Sequence, residues 1–339
     1  MFRDLPVLVT GGASFIGARL VNALVERGAV VRVADDLSVG RRESLLAHLE
    51  TGRVELLVGD LRDSRLARAA VEGIDLVFHL AADHGGRGYV DTHQAGPASN
   101  LILDGNVFRA AADAGASKIV FASSGCVYPN HLQRDTGVER YLREEDVGPP
   151  YDPDNLYGWA KLTGELHLRA LQQERGVGAV SCRYFTVYGP GATPSHALIA
   201  FIARACSRQD PFEVWGDGTQ VRNWTYIDDI VRGTLLAAER IDDGSAVNLG
   251  TSERIRVSDA VSAVLAAFDF APAIRYRREM PTGPLNRVAD NGRALELLGW
   301  RPEVPFADGL ARTIEWYRRS HSPERASQDL ERWALERRV

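Results

Sequence analysis

Tyr157 and Lys161 stand four residues apart in Tyr157-Gly-Trp-Ala-Lys161. On a helix, that spacing puts both side chains on one face. A phenol beside an ammonium is a proton acceptor with an adjustable pKa. The cation favours the phenolate, which can take a hydroxyl proton while hydride leaves the carbon that bears it. Such pairs are common by chance, so the surroundings decide. Ser123 and Ser124 follow an apolar run at residues 118–122 that reads as a strand. A hydroxyl at the carboxyl end of that strand can hold the reacting oxygen, and Ser124 is the expected one. Cys126 comes two residues later. A thiol there can exchange a proton with carbon, although the ordinary fate of a free cysteine is to pack as a small hydrophobe. Cys182 and Cys206 are given that second reading. The three cysteines have no metal-ligand spacing, and no metal is expected.

Upstream, Thr10-Gly-Gly-Ala-Ser-Phe-Ile-Gly17 joins a strand pattern at residues 7–9 to a helical pattern at residues 15–27. Gly11 and Gly17 are the outer members of a Gly-x-x-Gly-x-x-Gly pattern, with Ser14 in the middle place. Small residues let the backbone approach a pyrophosphate, whose charge the N–H groups of Phe15, Ile16 and Gly17 can meet at the start of the helix. The second strand ends at Asp35. A carboxylate there can accept from both ribose hydroxyls of NAD and would repel the 2′-phosphate of NADP, so NAD is the expected cofactor. The plainer alternative is a surface turn through Asp35-Asp36-Leu37-Ser38. Asp60 and Leu61, after the third strand, are expected beside the adenine. Ala81 and Ala82, after the fourth, are expected along the cofactor.

The elements that must position these groups alternate. Strand patterns at residues 30–34, 54–58, 76–80, 118–122 and 180–184 are separated by helical ones such as 100–113 and 156–173. That rhythm predicts an α/β fold, a Rossmann-type doubly wound parallel sheet. After about Gly189 the rhythm breaks. Helical patterns at 197–204 and 258–267 mix with short strands near 212–214 and 273–276. A smaller, interleaved C-terminal α/β substrate lobe is therefore expected over 190–320, with 1–189 as the NAD-binding domain. Residues 225–250 read as helix then strand returning to the first sheet. The stretch 321–339 reads as a charged helix or tail.

These motifs together resemble the extended short-chain dehydrogenase/reductase superfamily, in particular its nucleotide-sugar epimerases and dehydratases. The resemblance runs from about Pro6 to Arg318. It includes Val77-Phe-His-Leu-Ala-Ala82, Arg183-Tyr-Phe-Thr-Val-Tyr-Gly-Pro190 and the stretch from Trp215 to Asp229. It implies tightly held NAD that is recycled within a turnover, and a nucleotide-diphosphate sugar as substrate. It also implies that Arg222 and Arg287 meet the diphosphate, for which bidentate guanidinium pairing is the physical reason. Ala81-Ala-Asp-His-Gly-Gly-Arg-Gly-Tyr89 and Ser123-Ser-Gly-Cys-Val-Tyr-Pro129 are similar to the substrate loop and the acid/base segment of the GDP-mannose 3,5-epimerase family. The similarity implies that Gly85 and Gly86 contact substrate and that Cys126 is an acid/base. The family's second acid/base is a lysine, and His196 stands in its place, in His196-Ala-Leu-Ile-Ala-Phe201. Thr186 replaces a family asparagine at a sugar contact.

The resemblance implies an epimerase that oxidises C4, then removes and returns protons at C3 or C5, with a GDP-hexose favoured. A simple 4-epimerase and a dehydratase are the enzymatic alternatives. The common 4,6-dehydratases carry an Asp-Glu pair where this chain has Gly125 and Cys126. A non-catalytic NAD-binding regulator is the alternative of another class. The formal charge of −5 builds no basic field for nucleic acid. No apolar run approaches a membrane span, and the N-terminus lacks a signal-peptide pattern. A cytoplasmic homodimer is expected.

Overall fold

In the first strand, Val7 and Val9 enter one apolar cluster while Leu8 enters another. Successive strand residues point to opposite faces, so this sheet is buried on both sides, as a parallel sheet must be. A computed structural model describes residues 1–333. Its central sheet has seven strands: β1 (Pro6–Thr10), β2 (Val30–Asp35), β3 (Val54–Val58), β4 (Leu76–His79), β5 (Lys118–Ser124), β6 (Gly178–Tyr184) and β7 (Asp243–Leu249). Their order is β7-β6-β5-β4-β1-β2-β3, all parallel.

The helices Phe15–Glu26 and Ile227–Arg240 cover one face, through Leu20, Leu24 and Ile230. The helices Asn100–Ala114 and Asn155–Arg175 cover the other, through Leu103, Val107 and Leu168. Strand order reverses beside β1, which lies between β2 and β4. A crevice opens at such a switch point, outside the carboxyl ends of the strands. The helix Ile227–Arg240 leads directly into β7, which pairs with β6. The chain thus leaves the sheet and returns to it.

Between and after these excursions lie short strands. Phe212–Trp215 pairs in parallel with Ile274–Arg277, and Val221–Arg222 lies between Ile255–Arg256 and Asn286–Arg287. The C-terminal stretch, read as a charged helix or tail, is helical over most of its described residues. Pro323–Trp333 is a helix packed against the helix Ala197–Cys206. Ala326 and Asp329 are buried there, with Leu330 against the core. Its balanced charges hide a narrow apolar stripe, and residues 334–339 lie outside the described residues. No described helix is long and apolar enough to cross a membrane.

Candidate active site

A cavity of about 910 Å³ opens at the carboxyl ends of β1, β4, β5 and β6 and extends into the smaller lobe. The glycine loop forms one wall, through Ser14, Phe15, Ile16 and Gly17. Gly11 has φ +68 and donates to the Ala34 carbonyl (2.8 Å); the Ser14 hydroxyl donates to the Gly11 carbonyl (2.8 Å). Gly17 passes so close to Gly11 that any side chain would strike that carbonyl. At Gly11 and Gly17 the loop leaves no room for a side chain, and this close backbone turn at a helix N-terminus suits a pyrophosphate.

Asp35 is buried behind this loop and braces it, accepting from the N–H groups of Ala13 (2.9 Å) and Leu37 (2.9 Å). Burial pushes its carboxyl pKa up, against those two bonds. The neighbouring Asp36 makes the turn, accepting from the Ser38 N–H (2.9 Å) and hydroxyl (2.7 Å). Asp60 pairs with Arg62 (2.8 Å). Leu61 and Ala81 are not among the residues that line the cavity. The Leu61 side chain, in the turn after β3, belongs to the apolar cluster under the sheet. The Ala81 N–H is held by the Thr10 hydroxyl (3.0 Å), and Ala82 is the residue on the cavity wall.

Ser124, Cys126, Tyr157 and Lys161 line the cavity together. Tyr157 and Lys161 sit in the first turns of Asn155–Arg175, and the Asn155 side chain accepts from the Tyr157 N–H (2.9 Å). Burial raises the Tyr157 phenol pKa well above its ordinary value, and the Ser124 hydroxyl beside it works the other way. Lys161 is 1% exposed, and its Nζ lies 4.5 Å from the centre of the Phe121 ring and 5.9 Å from that of Tyr157. Burial lowers its pKa. The Nζ has no hydrogen-bond acceptor. A buried ammonium with three donors fits the hydroxyls of a nicotinamide ribose. The Ser124 hydroxyl accepts from the Cys126 N–H (3.1 Å), which fixes the turn after β5.

The substrate lobe brings arginines to the same place. Arg222 and Arg287 are register partners on adjacent parallel strands, so they lie side by side. Arg287, expected to meet a diphosphate, lines the cavity and is also held by protein partners. Its guanidinium donates to Gln133 (2.7 Å), Asp154 (2.9 Å) and the Cys126 sulfur (3.1 Å). All three of its nitrogens are engaged. Arg222 donates only to the backbone carbonyls of Val221 (2.9 Å) and Thr282 (2.8 Å). Burial, with Arg287 and Arg87 nearby, pushes its pKa down to about 9. The site therefore holds a cation in need of an anion.

Sequence reasoning gave no role to Arg87, which pairs with Asp154 (2.6 Å) and Asp91 (2.7 Å). Its position inside a glycine-rich stretch was the available signal. It also missed Arg204, a buried residue on the cavity wall whose Nε has no hydrogen-bond partner. Gly85, Gly86, Thr186 and His196 line the cavity. His196 is the N-cap residue of Ala197–Cys206. Gly86 abuts the Ser195 carbonyl, where a side chain would not fit, so the glycine-rich loop rests on the turn that delivers His196.

The chain belongs to the NAD dependent epimerase/dehydratase family, whose model matches residues 7–250, and it is thereby an extended short-chain dehydrogenase/reductase with NAD as cofactor. GDP-mannose 3,5-epimerase 1 of Oryza sativa subsp. japonica is 31% identical over 330 residues, covering 95% of this chain and 84% of that protein. UDP-glucose 4-epimerase of Mycolicibacterium smegmatis is 31% identical over 316 residues, covering 92% and 98%. The dTDP-glucose 4,6-dehydratase of Streptomyces venezuelae, solved with NAD bound, superposes with a TM-score of 0.84 at 28% identity, covering 93% and 97%.

Proposed function

We propose that this enzyme is a nucleotide-diphosphate-sugar epimerase that inverts C3, C5 or both through a transient 4-ketone. The observation that carries the reading is that two groups able to exchange protons, Cys126 and His196, line the same cavity as the Tyr157–Lys161 pair and come from different lobes. Bound NAD supplies reversible oxidation at C4. Ser124 holds the C4 oxygen while the Tyr157 phenolate takes the hydroxyl proton and later returns it, with Lys161 stabilising the phenolate. The ketone acidifies the neighbouring C–H bonds. Cys126 and His196 then remove a proton from one face and return one to the other.

Arg222 supplies the charge for a diphosphate, and Arg287 holds Cys126 in place. Arg204 supports a guanine base, because a guanidinium pairs in bidentate fashion with O6 and N7 of guanine. A GDP-hexose is therefore the favoured substrate. A 4-epimerase is the second reading, favoured by equal identity to a 4-epimerase; Cys126 is then packing. We further propose a homodimer formed through the helices Asn100–Ala114 and Asn155–Arg175, and an intracellular, reducing setting.

Incubation with GDP-, UDP-, dTDP- and CDP-hexoses in deuterated water tests the reaction. The expected result is deuterium at C3 or C5 of an inverted GDP-hexose, and none with Cys126→Ala. A product without ring deuterium, or near-normal turnover by Cys126→Ala, selects the 4-epimerase.

A further inference from the structure

A buried polar chain runs from the glycine loop to Lys161. Thr10, the residue before Gly11, is fully buried. Its hydroxyl oxygen accepts from the N–H groups of Leu80 (3.1 Å) and Ala81 (3.0 Å). Its single proton is left for the Nδ1 of His79, 2.7 Å away. That bond fixes the tautomer: His79 carries its proton on Nε2 and donates it to Asp104 Oδ1 (2.9 Å). Burial keeps His79 neutral by lowering its pKa. It needs only one oxygen of the Asp104 carboxylate.

The other oxygen, Oδ2, is buried and has no hydrogen-bond partner, and the same is true of the Lys161 Nζ. The two groups converge on one ring. Lys161 lies 4.5 Å from the centre of Phe121, and His79 stacks on that ring at 5.8 Å. Gly164, one turn along the helix from Lys161, packs against both Phe121 and Asp104 Oδ2. The competing carboxylate is Glu165. It is already neutralised by Arg183, through Oε1 (2.9 Å) and Oε2 (2.8 Å), and also accepts from Ser123. Tyr157 faces Lys161 as a neutral phenol at rest. The ionisable groups around Lys161 are therefore Asp104, Glu165, Tyr157, His79 and Arg183, and Asp104 alone carries an uncompensated charge of opposite sign.

We propose that Asp104 is a positioning residue for Lys161: its carboxylate supplies the counter-charge of the buried ammonium and links it, through His79 and Thr10, to the dinucleotide loop. This rests on the reading of Tyr157 and Lys161 as the proton-transfer pair. A burial this deep strongly disfavours a lone ammonium. Asp104 keeps Lys161 charged, so that it can both hold the ribose and stabilise the phenolate.

The sequence makes the test direct, because Lys161 and Lys118 are the only two lysines. Labelling lysine with carbon-13 at Cε gives two resonances, and Lys118→Arg assigns them. Asp104→Asn keeps an oxygen towards His79 and removes only the charge. The expected result is a Lys161 titration midpoint lowered by about one pH unit or more, roughly tenfold in its ionisation constant. The high-pH loss of turnover should move to lower pH with it. The Lys118 resonance and the far-ultraviolet spectrum should be unchanged.

An unmoved Lys161 midpoint in folded Asp104→Asn overturns the inference and leaves the proposed reaction to its deuterium test. A moved midpoint with an unmoved pH–turnover profile overturns the positioning role and removes Lys161 from the proposed chemistry. Should Asp104→Asn not fold, Asp104→Ser and the wild-type titration decide, and a wild-type midpoint below neutrality overturns the inference.

Discussion

Tyr157, the proposed base, is held in a place that opposes its ionisation. Burial raises its pKa, so at neutral pH the protonated phenol dominates unless a cation faces it. Turnover should therefore rise with pH as the phenol ionises. Lys161→Met should push that rising limb to higher pH, which a pH–kcat profile measures. Tyr157→Phe should lower kcat by roughly 10²–10⁴-fold while NAD remains bound, since the ring and its packing stay. Asp35 braces the Ala13 and Leu37 N–H groups, and we propose that the same carboxylate meets the ribose and selects NAD over NADP. Asp35→Ala should weaken NAD binding by roughly tenfold or more, the scale of a hydrogen bond to a charged group, and narrow the gap to NADP. Fluorescence titration with both dinucleotides measures this, and equal affinities in the native protein would contradict the reading.

Two short strands place Arg222 beside Arg287, and they illustrate what a sequence shows and hides. The strand–loop–helix order around Gly11 and Gly17, the Tyr157–Lys161 spacing and the return of β7 to the sheet were all legible. They rest on local periodicity and on the fixed order of a doubly wound sheet. The partners of Arg287 were not legible. Gln133, Asp154 and Cys126 lie 133 to 161 residues away in the chain, and no local pattern reports contacts of that range. The same limit hid the Thr10–His79–Asp104 series, whose members come from β1, β4 and a helix. The apolar stripe of Pro323–Trp333 escaped because few apolar residues make it. The division of labour between the two arginines gives separable outcomes. Arg222→Met should raise KM for the nucleotide sugar by roughly ten- to hundredfold with kcat less affected. Arg287→Met should lower kcat, because it releases Cys126, while Asp154 keeps its pairing with Arg87. Steady-state kinetics of the two variants distinguishes them.

At the scale of the molecule, a chain with a formal charge of −5 gathers Arg87, Arg204, Arg222 and Arg287 in one cavity. Arg87 and Arg287 are paired with carboxylates, which leaves Arg222, bonded to backbone carbonyls, as the cation placed to meet an anionic nucleotide. The outer surface has its own asymmetry. The helices Asn100–Ala114 and Asn155–Arg175 pack together on one face of the sheet. They leave Leu101, Ile102, Leu156, Trp159 and Leu166 exposed, Ile102 at 57%. Exposed apolar side chains on two paired helices suit an interaction surface. A two-fold axis between two copies would cover it with itself, because an isologous interface needs only one self-complementary patch. The second of these helices carries Tyr157 and Lys161 on its inner side, so a dimer would clamp the catalytic helix from behind. Wild-type protein should sediment as a dimer at micromolar concentration. The pair of substitutions Ile102→Glu and Trp159→Glu places four carboxylates at the centre of that interface and should give a monomer, with the fold kept because both positions face outward. NAD binding should survive in the monomer, while turnover should fall as the catalytic helix loses its backing. Sedimentation velocity combined with the kinetic assay reads both effects. A monomeric wild type, or a charged variant that remains a dimer, would place the interface elsewhere.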